Sequence, residues 1–180
     1  GAKPGYGDGL GPAARFWFPS GCFFEKASRR LIVTERYNML IRSIDVRSGE
    51  VTTIAGRNGT YGWADGIGTN ALFCEPQGIS GDILGNIYVA DTGNSFIRKV
   101  TLDGEVSTVR GIDPQHMELL RRSGAKEYHG EIPSRDMYKH FFASIQNPTG
   151  VAAGRNGTVY ASVQLINSAI LRITPDFLIY

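Results

Sequence analysis

The chain has 180 residues, 42% hydrophobic and 20% charged, which is an ordinary composition for a folded, soluble protein. No apolar run approaches the roughly 20 residues needed to span a bilayer, so no membrane contact is expected. A formal net charge of +2 gives little long-range attraction for nucleic acid. The 23 glycines beside 9 Phe and 8 Tyr are typical of short strands that alternate with tight turns. The composition therefore predicts an all-β architecture.

A glycine-rich lead-in opens the chain and returns once. Asp8 precedes Pro19 by 11 positions, and Asp65 precedes Pro76 by the same 11 positions, with similar residues between them. Each proline opens a unit in which short β-prone runs alternate with polar turns, and a third unit opens at Pro148. Self-similarity of this kind indicates a repeat architecture.

Each unit contains about four short β-prone runs separated by glycine turns, which is the pattern of a propeller blade. The first run of each unit follows its opening proline. The later runs are 31–35, 40–44 and 50–56 in the first unit and 86–91, 96–100 and 105–111 in the second. In the third unit they are 157–161, 170–173 and, less clearly, 177–180. Three units predict about twelve strands in three blades, which form a partial or open β-propeller.

The second unit, from Pro76 through Asp91 and Asn94 to Arg98, resembles an NHL repeat, named for its Asn-His-Leu signature. The glycine-rich connector before it is similar to that of the long-period subtype of this family. The acid, asparagine and arginine become Glu35, Asn38 and Arg42 in the first unit; in the third, Val163 replaces the acid, and Asn167 and Arg172 are retained. We therefore interpret the chain as three NHL-type repeats.

The resemblance implies a segment of a six-bladed propeller. Three blades cannot easily close into a ring, and an open propeller leaves unpaired sheet edges. The open sides could be covered by further blades in a longer parent chain, by a second copy, or by another protein. We favour the first of these, and we expect a protein partner or additional blades of the same chain to complete the propeller.

An insertion displaces the third unit. The opening prolines lie 57 residues apart from 19 to 76 and 72 apart from 76 to 148, and the excess of 15 falls within residues 112–142. Its Asp113-Pro114 start predicts a short capped helix. The expected organisation is blade 1 with its lead-in at 1–57, blade 2 with its connector at 58–111, the inserted loop at 112–142 and blade 3 at 143–180.

Three histidines, His116, His129 and His140, lie in this insertion. Their separations of 13 and 11 residues fit no short metal motif, so a solvated polar loop is favoured over a metal site. The repeated acid and arginine are interpreted as structural, because charge-assisted hydrogen bonds between strand ends recur blade by blade in repeats. The sequence therefore predicts no catalytic residue, no metal site and no cofactor.

The sequence favours a non-catalytic scaffold or protein–protein interaction module that presents propeller loops to a partner. Loops that differ among the copies should carry the contacts. These residues are Arg36, Tyr37, Asn38, Thr92, Asn94 and Ser95 in the turns, and His116, Tyr128 and His129 in the insertion. One alternative is a fragment of a metal-dependent six-bladed propeller hydrolase or lyase, which the missing convergent carboxylates disfavour. Another is RNA binding on a basic face; its candidate residues are Arg29, Arg30, Arg36, Arg42, Arg47 and Arg57, with Tyr37.

Overall fold

The computed structural model describes residues 3–109, 147–154, 157–163 and 169–173, which form three antiparallel sheets. Blade 1 contains β1 (Gly9–Leu10), β2 (Pro19–Glu25), β3 (Arg30–Glu35), β4 (Leu40–Asp45) and β5 (Glu50–Ala55). Blade 2 contains β6 (Gly66–Ile67), β7 (Pro76–Gly81), β8 (Ile87–Asp91), β9 (Phe96–Val100) and β10 (Glu105–Thr108). Blade 3 contains β11 (Pro148–Ala153), β12 (Val159–Val163) and β13 (Ala169–Ile173). The inserted loop at 112–142, Asn167 and the final run at 177–180 lie outside the described residues.

The all-β architecture is confirmed, but blades 1 and 2 have five strands each where four were predicted. Their orders are β1-β5-β4-β3-β2 and β6-β10-β9-β8-β7. The additional strand comes from the glycine-rich lead-in, because Gly9 pairs with Val51 and Gly66 pairs with Val106. The φ angles of these glycines, 137° and 152°, are rare for residues with side chains, and a Cβ on Gly9 would lie 3.2 Å from that of Ala13. Glycine thus lets the lead-in fold back onto the outer strand.

Blade 3 pairs its strands in the order β11-β12-β13. Leu171 of β13 pairs with Ala161 of β12, and Arg98 of β9 pairs with Val89 of β8 at the same place in blade 2. Leu171 therefore occupies the position of the repeated arginine. Arg172 follows one position later and is exposed. The prediction that Arg172 is the arginine of the third repeat is therefore wrong. It lies 24 residues after its opening proline, whereas the arginines of the first two units lie 23 and 22 residues after theirs.

The core consists of two apolar layers, each lying between neighbouring blades. The first layer combines Ile32 and Ile41 of blade 1 with Phe73, Ile87 and Val89 of blade 2. The second layer contains Tyr88, Ala90, Ile97 and Val109 of blade 2 with Val159, Ala161 and Ile173 of blade 3. Successive residues of β8 therefore face opposite neighbours. Because this strand is buried on both sides, its apolar run is uninterrupted instead of alternating with polar residues.

The strands that begin at the opening prolines lie very close to one another. A Cβ on Gly21 would lie 2.4 Å from the carbonyl oxygen of Gln77, and a Cβ on Gly78 would lie 2.6 Å from that of Thr149. Real Cβ atoms essentially never come this close to another heavy atom, so only glycine fits at both positions. The Pro-x-Gly start of the first two units is thus a packing requirement between blades. In the described ranges, no helix is long and apolar enough to cross a membrane.

Candidate binding face

The turns in which the copies differ lie at one end of the sheets. The turn after β3 spans 36–39 and the turn after β8 spans 92–95. Backbone hydrogen bonds join each turn to the segment before the opening proline: Arg36 N donates to Phe18 O at 3.0 Å, and Gly93 N donates to Cys74 O at 2.8 Å. We call this end the loop face. The opposite end, which carries the turns at 26–29, 46–49 and 82–86, is called the base face.

Three aromatic residues, Trp17, Phe18 and Tyr37, form an exposed group on the loop face of blade 1. The rings of Trp17 and Tyr37 meet edge to face with centroids 5.7 Å apart, and those of Phe18 and Tyr37 lie 4.8 Å apart. The three residues are 39–51% exposed. We call this group the aromatic cluster. Its members contact one another and are preorganised, yet each presents ring surface to solvent.

The residue before each opening proline has a left-handed backbone conformation. The φ angle is 54° at Phe18, 49° at Glu75 and 45° at Asn147. Asparagine adopts this conformation readily, whereas most other residues with a side chain are destabilised there by about 1 kcal/mol or more. Phe18 is also half exposed, so burial does not explain a phenylalanine at this position. The conformation belongs to the repeat, since all three units share it, but an exposed phenylalanine is not the residue type that relieves its strain.

Arg36 covers one side of the aromatic cluster. Its guanidinium carbon lies 5.9 Å from the ring centre of Phe18 and 5.7 Å from that of Tyr37. Its Nη2 and Nε both donate to one carboxylate oxygen of Glu75, at 2.6 and 3.1 Å. This hydrogen bond raises the pKa of Arg36 above its ordinary value. Because Glu75 belongs to the segment before β7, the ion pair also ties blade 1 to blade 2.

A fully buried arginine holds the lead-in of each of the first two blades. Arg98 donates to Asp91 at 2.9 Å, to Asp65 at 2.8 Å, and to the carbonyl oxygens of Leu72 and Ala64, both at 2.9 Å. The corresponding set in blade 1 is Arg42, Glu35 and Asp8. The repeated acid and arginine are thus in direct contact inside the blade. The lead-in aspartate completes the set, and sequence reasoning missed it.

Burial shifts the pKa of the buried acid in each set, Asp91 and Glu35. Burial raises the pKa of Asp91 to about 6, although the charge of Arg98 and the hydrogen bonds to Asp91 lower it. Among those hydrogen bonds, Cys74 N and Asn94 Nδ2 each donate to Asp91 at 2.7 Å. Burial likewise raises the pKa of Glu35. These donors come from the blade itself, so both acids are used in holding the turn and the lead-in.

The predicted contact residues in the first turn divide between surface and interior. Arg36 and Tyr37 lie at the surface, beside the rest of the aromatic cluster. Asn38 is only 2% exposed, and its Nδ2 donates to Gly5 O at 2.9 Å and to Glu35. The structure therefore brings Arg36 and Tyr37 together on the loop face but keeps the amide of Asn38 inside the blade.

The predicted contact residues of the second turn bind mainly to neighbouring parts of the chain. Thr92 is buried and donates to the carbonyl oxygen of Pro148 at 2.6 Å, and Asn94 Nδ2 donates to that of Gly62 at 2.6 Å. Ser95 Oγ accepts a hydrogen bond from Asn147 N at 3.3 Å. The remaining predicted contacts are His116, Tyr128 and His129, which lie outside the described residues.

The arginines proposed for RNA binding do not share one face. Arg29 and Arg47 lie in turns of the base face, whereas Arg36 and Arg57 lie at the loop face. Arg42 is fully buried within blade 1. The six arginines therefore do not form one common face, because consecutive turns of an antiparallel sheet alternate between its two ends, and RNA binding stays an untested alternative. Among the residues that the structure describes, no group of three or more His, Cys, Asp or Glu could hold a metal ion.

Sequence reasoning also missed Trp17 and Phe18. A signal for them exists in the alignment of the copies, because Phe16-Trp17-Phe18 stands where the second copy has Phe73-Cys74-Glu75. The first aromatic residue is shared and belongs to the repeat. The next two are specific to blade 1 and are exposed. This difference between the copies in the lead-in is the sequence signal that distinguishes the two residues.

Comparison with known proteins identifies the repeats. No family model matches the chain. NHL repeat-containing protein 2 of Bos taurus is 35% identical over 155 residues, which cover 84% of this chain and 18% of that protein. The chain belongs to the NHL-repeat β-propeller family. Protein SUPPRESSOR OF QUENCHING 1, chloroplastic, of Arabidopsis thaliana is 33% identical over 118 residues, which cover 62% of this chain and 11% of that protein. This NHL chain thus spans less than a fifth of either relative.

Solved structures confirm the propeller architecture of the NHL chain. A streptogramin B lyase structure matches with a TM-score of 0.57 at 17% identity, covering 96% of this chain and 42% of that one. A chain of the nidogen/laminin complex matches at 0.58 and 17%, covering 89% and 45%. A gluconolactonase of Xanthomonas campestris matches at 0.55 and 13%, covering 97% and 54%. At these identities the likeness shows the fold alone.

Proposed function

We propose that this NHL module is a non-catalytic scaffold that binds a protein partner on its loop face. The observation that carries the proposal is the exposed aromatic cluster of Trp17, Phe18 and Tyr37, with Arg36 over its rings. Tryptophan, tyrosine and arginine are the residue types that most often dominate the binding energy of protein interfaces. Trp17 and Phe18 are thereby added to the predicted contact residues Arg36 and Tyr37.

The cluster is already arranged for binding. Glu75 holds the guanidinium of Arg36, and the rings of Trp17 and Phe18 both rest on that of Tyr37. A partner would therefore order few additional side chains, and binding would lose little conformational entropy. The strained backbone of Phe18 supports the same interpretation, because the fold alone is served better by asparagine at that position, as in blade 3.

The position of the cluster also favours recognition over a role in the repeat. Blade 2 has Cys74 and Glu75 where blade 1 has Trp17 and Phe18, and its turn has Gly93 where blade 1 has Tyr37. Residues that serve the blade, such as the buried arginines, are the same in both copies. The aromatic residues are not, so a function specific to this NHL module is best sought at the cluster.

An enzymatic function is the alternative class. The similar structures include a lyase and a gluconolactonase as well as a chain of a protein–protein complex, so this fold accommodates both kinds of function. The non-catalytic proposal therefore rests on the aromatic cluster and not on the fold. A bound metal that survives purification, together with an activity lost on chelation, would support the enzyme instead.

The test compares cross-linked capture of proteins by wild type, Tyr37→Ala and Phe18→Asn. Leu84→Asn is the matched control, because Leu84 is an exposed apolar residue in a turn of the base face. Phe18→Asn should keep the fold, since the relief of backbone strain offsets the lost ring contact, each about 1 kcal/mol. We expect the same proteins to be captured by wild type and Leu84→Asn and to be lost with both cluster variants.

Equal capture by all four proteins, with unchanged melting temperatures, would overturn the proposal. A nucleic-acid partner would be recognised by retention that disappears after nuclease treatment and weakens steeply with salt. That result would also contradict a protein partner at this face. Melting curves of each variant separate loss of binding from loss of fold.

A further inference from the structure

Part of the aromatic cluster lies where blades 1 and 2 meet at the loop face. Arg36 and Tyr37 follow β3 of blade 1, and Glu75, which forms an ion pair with Arg36, precedes β7 of blade 2. The structure describes both of these blades in full. Their own packing therefore leaves the ring of Tyr37 and the side chain of Arg36 accessible at this junction.

A further exposed ring borders the cluster. Tyr61 is 74% exposed and belongs to the connector that follows blade 1. Gly59 N of the same connector donates to Asn38 O at 3.2 Å, so the connector contacts the turn at 36–39. Tyr61 itself pairs with Phe73, in the segment that leads into blade 2. The cluster and Tyr61 together thus expose four aromatic rings at one end of the molecule.

The rings of the cluster carry hydrogen-bond donors that the fold does not use. Within the part of the chain that the structure describes, neither Nε1 of Trp17 nor the hydroxyl of Tyr37 has a hydrogen-bond partner. Arg36 uses Nε and Nη2 on Glu75, which leaves its Nη1 for other contacts. The carboxylate of Glu75 is already engaged by that arginine. The side chains therefore offer a ligand ring surface and donors, and the ligand must supply acceptors.

Two common forms of peptide recognition do not fit these residues. A peptide that adds a strand to a sheet needs unpaired backbone amides, whereas Trp17 N donates to Glu35 at 3.3 Å and Arg36 N donates to Phe18 O at 3.0 Å. Phosphorylated or acidic motifs are recognised by groups of arginines. Here the charge of Arg36 is balanced by Glu75, so the cluster offers little attraction to an anionic segment.

A proline-rich segment has the chemistry that the cluster lacks. Proline has no backbone N–H, so such a segment carries carbonyl acceptors without matching donors. Its rings pack in aromatic-lined sites, and its polyproline II conformation exists before binding, so little entropy is lost. Trp17, Tyr37 and Tyr61 each combine an apolar ring with a donor at its edge. An amphipathic helix would need an apolar groove in place of these polar edges.

Building on the proposed scaffold function, we propose that the aromatic cluster and Tyr61 bind a proline-rich segment of the partner in the polyproline II conformation. Its pyrrolidine rings would pack on Trp17, Tyr37 and Tyr61, while Trp17 Nε1 and Tyr37 Oη donate to its carbonyl oxygens. Arg36 and Glu75 stay paired in the complex, so the affinity should depend little on salt concentration.

The first experiment titrates Trp63→Phe with a polyproline peptide of about ten residues and follows tryptophan fluorescence. This variant leaves Trp17 as the only tryptophan of the chain, and phenylalanine keeps a ring beside Phe96. A glycine–serine peptide of the same length is the control, because it is flexible and has no rings. We expect polyproline to shift the emission to shorter wavelength and to saturate below about 1 mM, and the control peptide to have no effect.

Conservative variants separate loss of binding from loss of fold. Trp17→Phe and Tyr37→Phe each keep a ring and remove one donor, so each should weaken polyproline binding about fivefold in calorimetry. Tyr61→Ala removes a whole exposed ring and should weaken it about tenfold. Tyr160→Phe is the matched control, since Tyr160 is 42% exposed against 39% for Tyr37 but lies in β12 of blade 3. This control should bind as wild type does, and all variants should keep the melting temperature.

Three results would overturn the inference. One is the absence of any response to polyproline up to about 1 mM. Another is equal affinity of Tyr37→Phe and Tyr160→Phe for the peptide, which would exclude the donor contact. The third is tighter binding of a single-stranded oligothymidylate that weakens steeply with salt, which would assign the rings to nucleic acid.

The outcome for the peptide is distinguishable from the outcome for the scaffold function. Partner capture that is lost with Tyr37→Ala and Phe18→Asn, without any response to polyproline, would leave the scaffold function standing and would overturn only the proline-rich ligand. Capture that both variants retain would contradict the scaffold function at this face, whatever the peptide does.

Discussion

Replacing Arg98 by leucine tests how the blade depends on its buried ion pair. Arg98 and Asp91 are both fully buried in wild type. The variant therefore leaves a carboxyl group inside the blade without its cation. Removing one partner of a buried ion pair typically destabilises a protein by about 3–5 kcal/mol. Asp65 also loses its cation, but it keeps the hydrogen bond from Thr108 and its side chain is 48% exposed, so water can solvate it and its contribution should be small.

The third blade provides the matched control for this variant. Its sequence has Val163 and Leu171 at the positions of Asp91 and Arg98. The double variant Asp91→Val/Arg98→Leu therefore removes the buried carboxyl together with its cation and copies a pair that the chain already uses. We expect it to recover more than half of the lost free energy. The remaining loss comes from the groups that donate to Asp91 in wild type, such as Cys74 N. It should be about 1 kcal/mol for each donor that loses this acceptor.

Urea unfolding followed by circular dichroism gives the free energies for wild type and both variants. The single variant should also be less destabilised at pH 5 than at pH 8, because the unpaired carboxyl is protonated at the lower pH and the buried charge disappears. A double variant as unstable as the single one would refute the reasoning. It would mean that the lost stability came from packing of the arginine side chain and not from the buried charge.

Two further predictions concern single residues. The pKa of Asp91 is raised to about 6 from an ordinary 3.8, so the folded state binds this proton more tightly than the unfolded state does. Protonation of Asp91 therefore contributes about 3 kcal/mol to the stability of the folded state, and this contribution is complete below pH 3.8 and is lost as the pH rises through 6. Unfolding free energies of Asp91→Asn measured from pH 4 to 7 should lack this decline. Identical slopes for the variant and wild type would contradict the assignment. Gly21→Ala should lower the unfolding free energy by about 1–3 kcal/mol, because its Cβ would lie 2.4 Å from a backbone oxygen. Gly5→Ala, where the nearest atom would be 3.6 Å away, is the control in the same denaturation assay, and equal losses would exclude close packing as the cause.

The regular part of the fold could be predicted because each blade repeats the same physical requirements. The alternation of short apolar runs with glycine turns gave the strands, and the Pro-x-Gly starts indicated where each blade begins. The fifth strand could not be predicted, because Gly9-Leu10 and Gly66-Ile67 are two residues long and form only through pairing with distant strands. The shift at Arg172 was also invisible, because spacing alone does not fix the register of β12 and β13.

The candidate site was predictable in part. Arg36 and Tyr37 were expected on a variable turn and are found at the surface. Asn38 was expected there too, but its side chain turns inward to bind a carbonyl and a carboxylate of its own blade. The exposed rings of Trp17 and Phe18 were missed because aromatic residues next to a strand are usually read as core. Only the packing of the lead-in against the turn brings them to the surface together.

The buried arginines also bear on how the chain folds during synthesis. Arg42 is 34 residues from Asp8, and Arg98 is 33 residues from Asp65. Each lead-in therefore reaches its buried arginine only after the third long strand of its own blade has been made. Contacts of this separation close quickly compared with pairings between distant segments. The hydroxyl contacts between blades span 56 residues, so each blade can form first and dock onto the previous one as it leaves the ribosome.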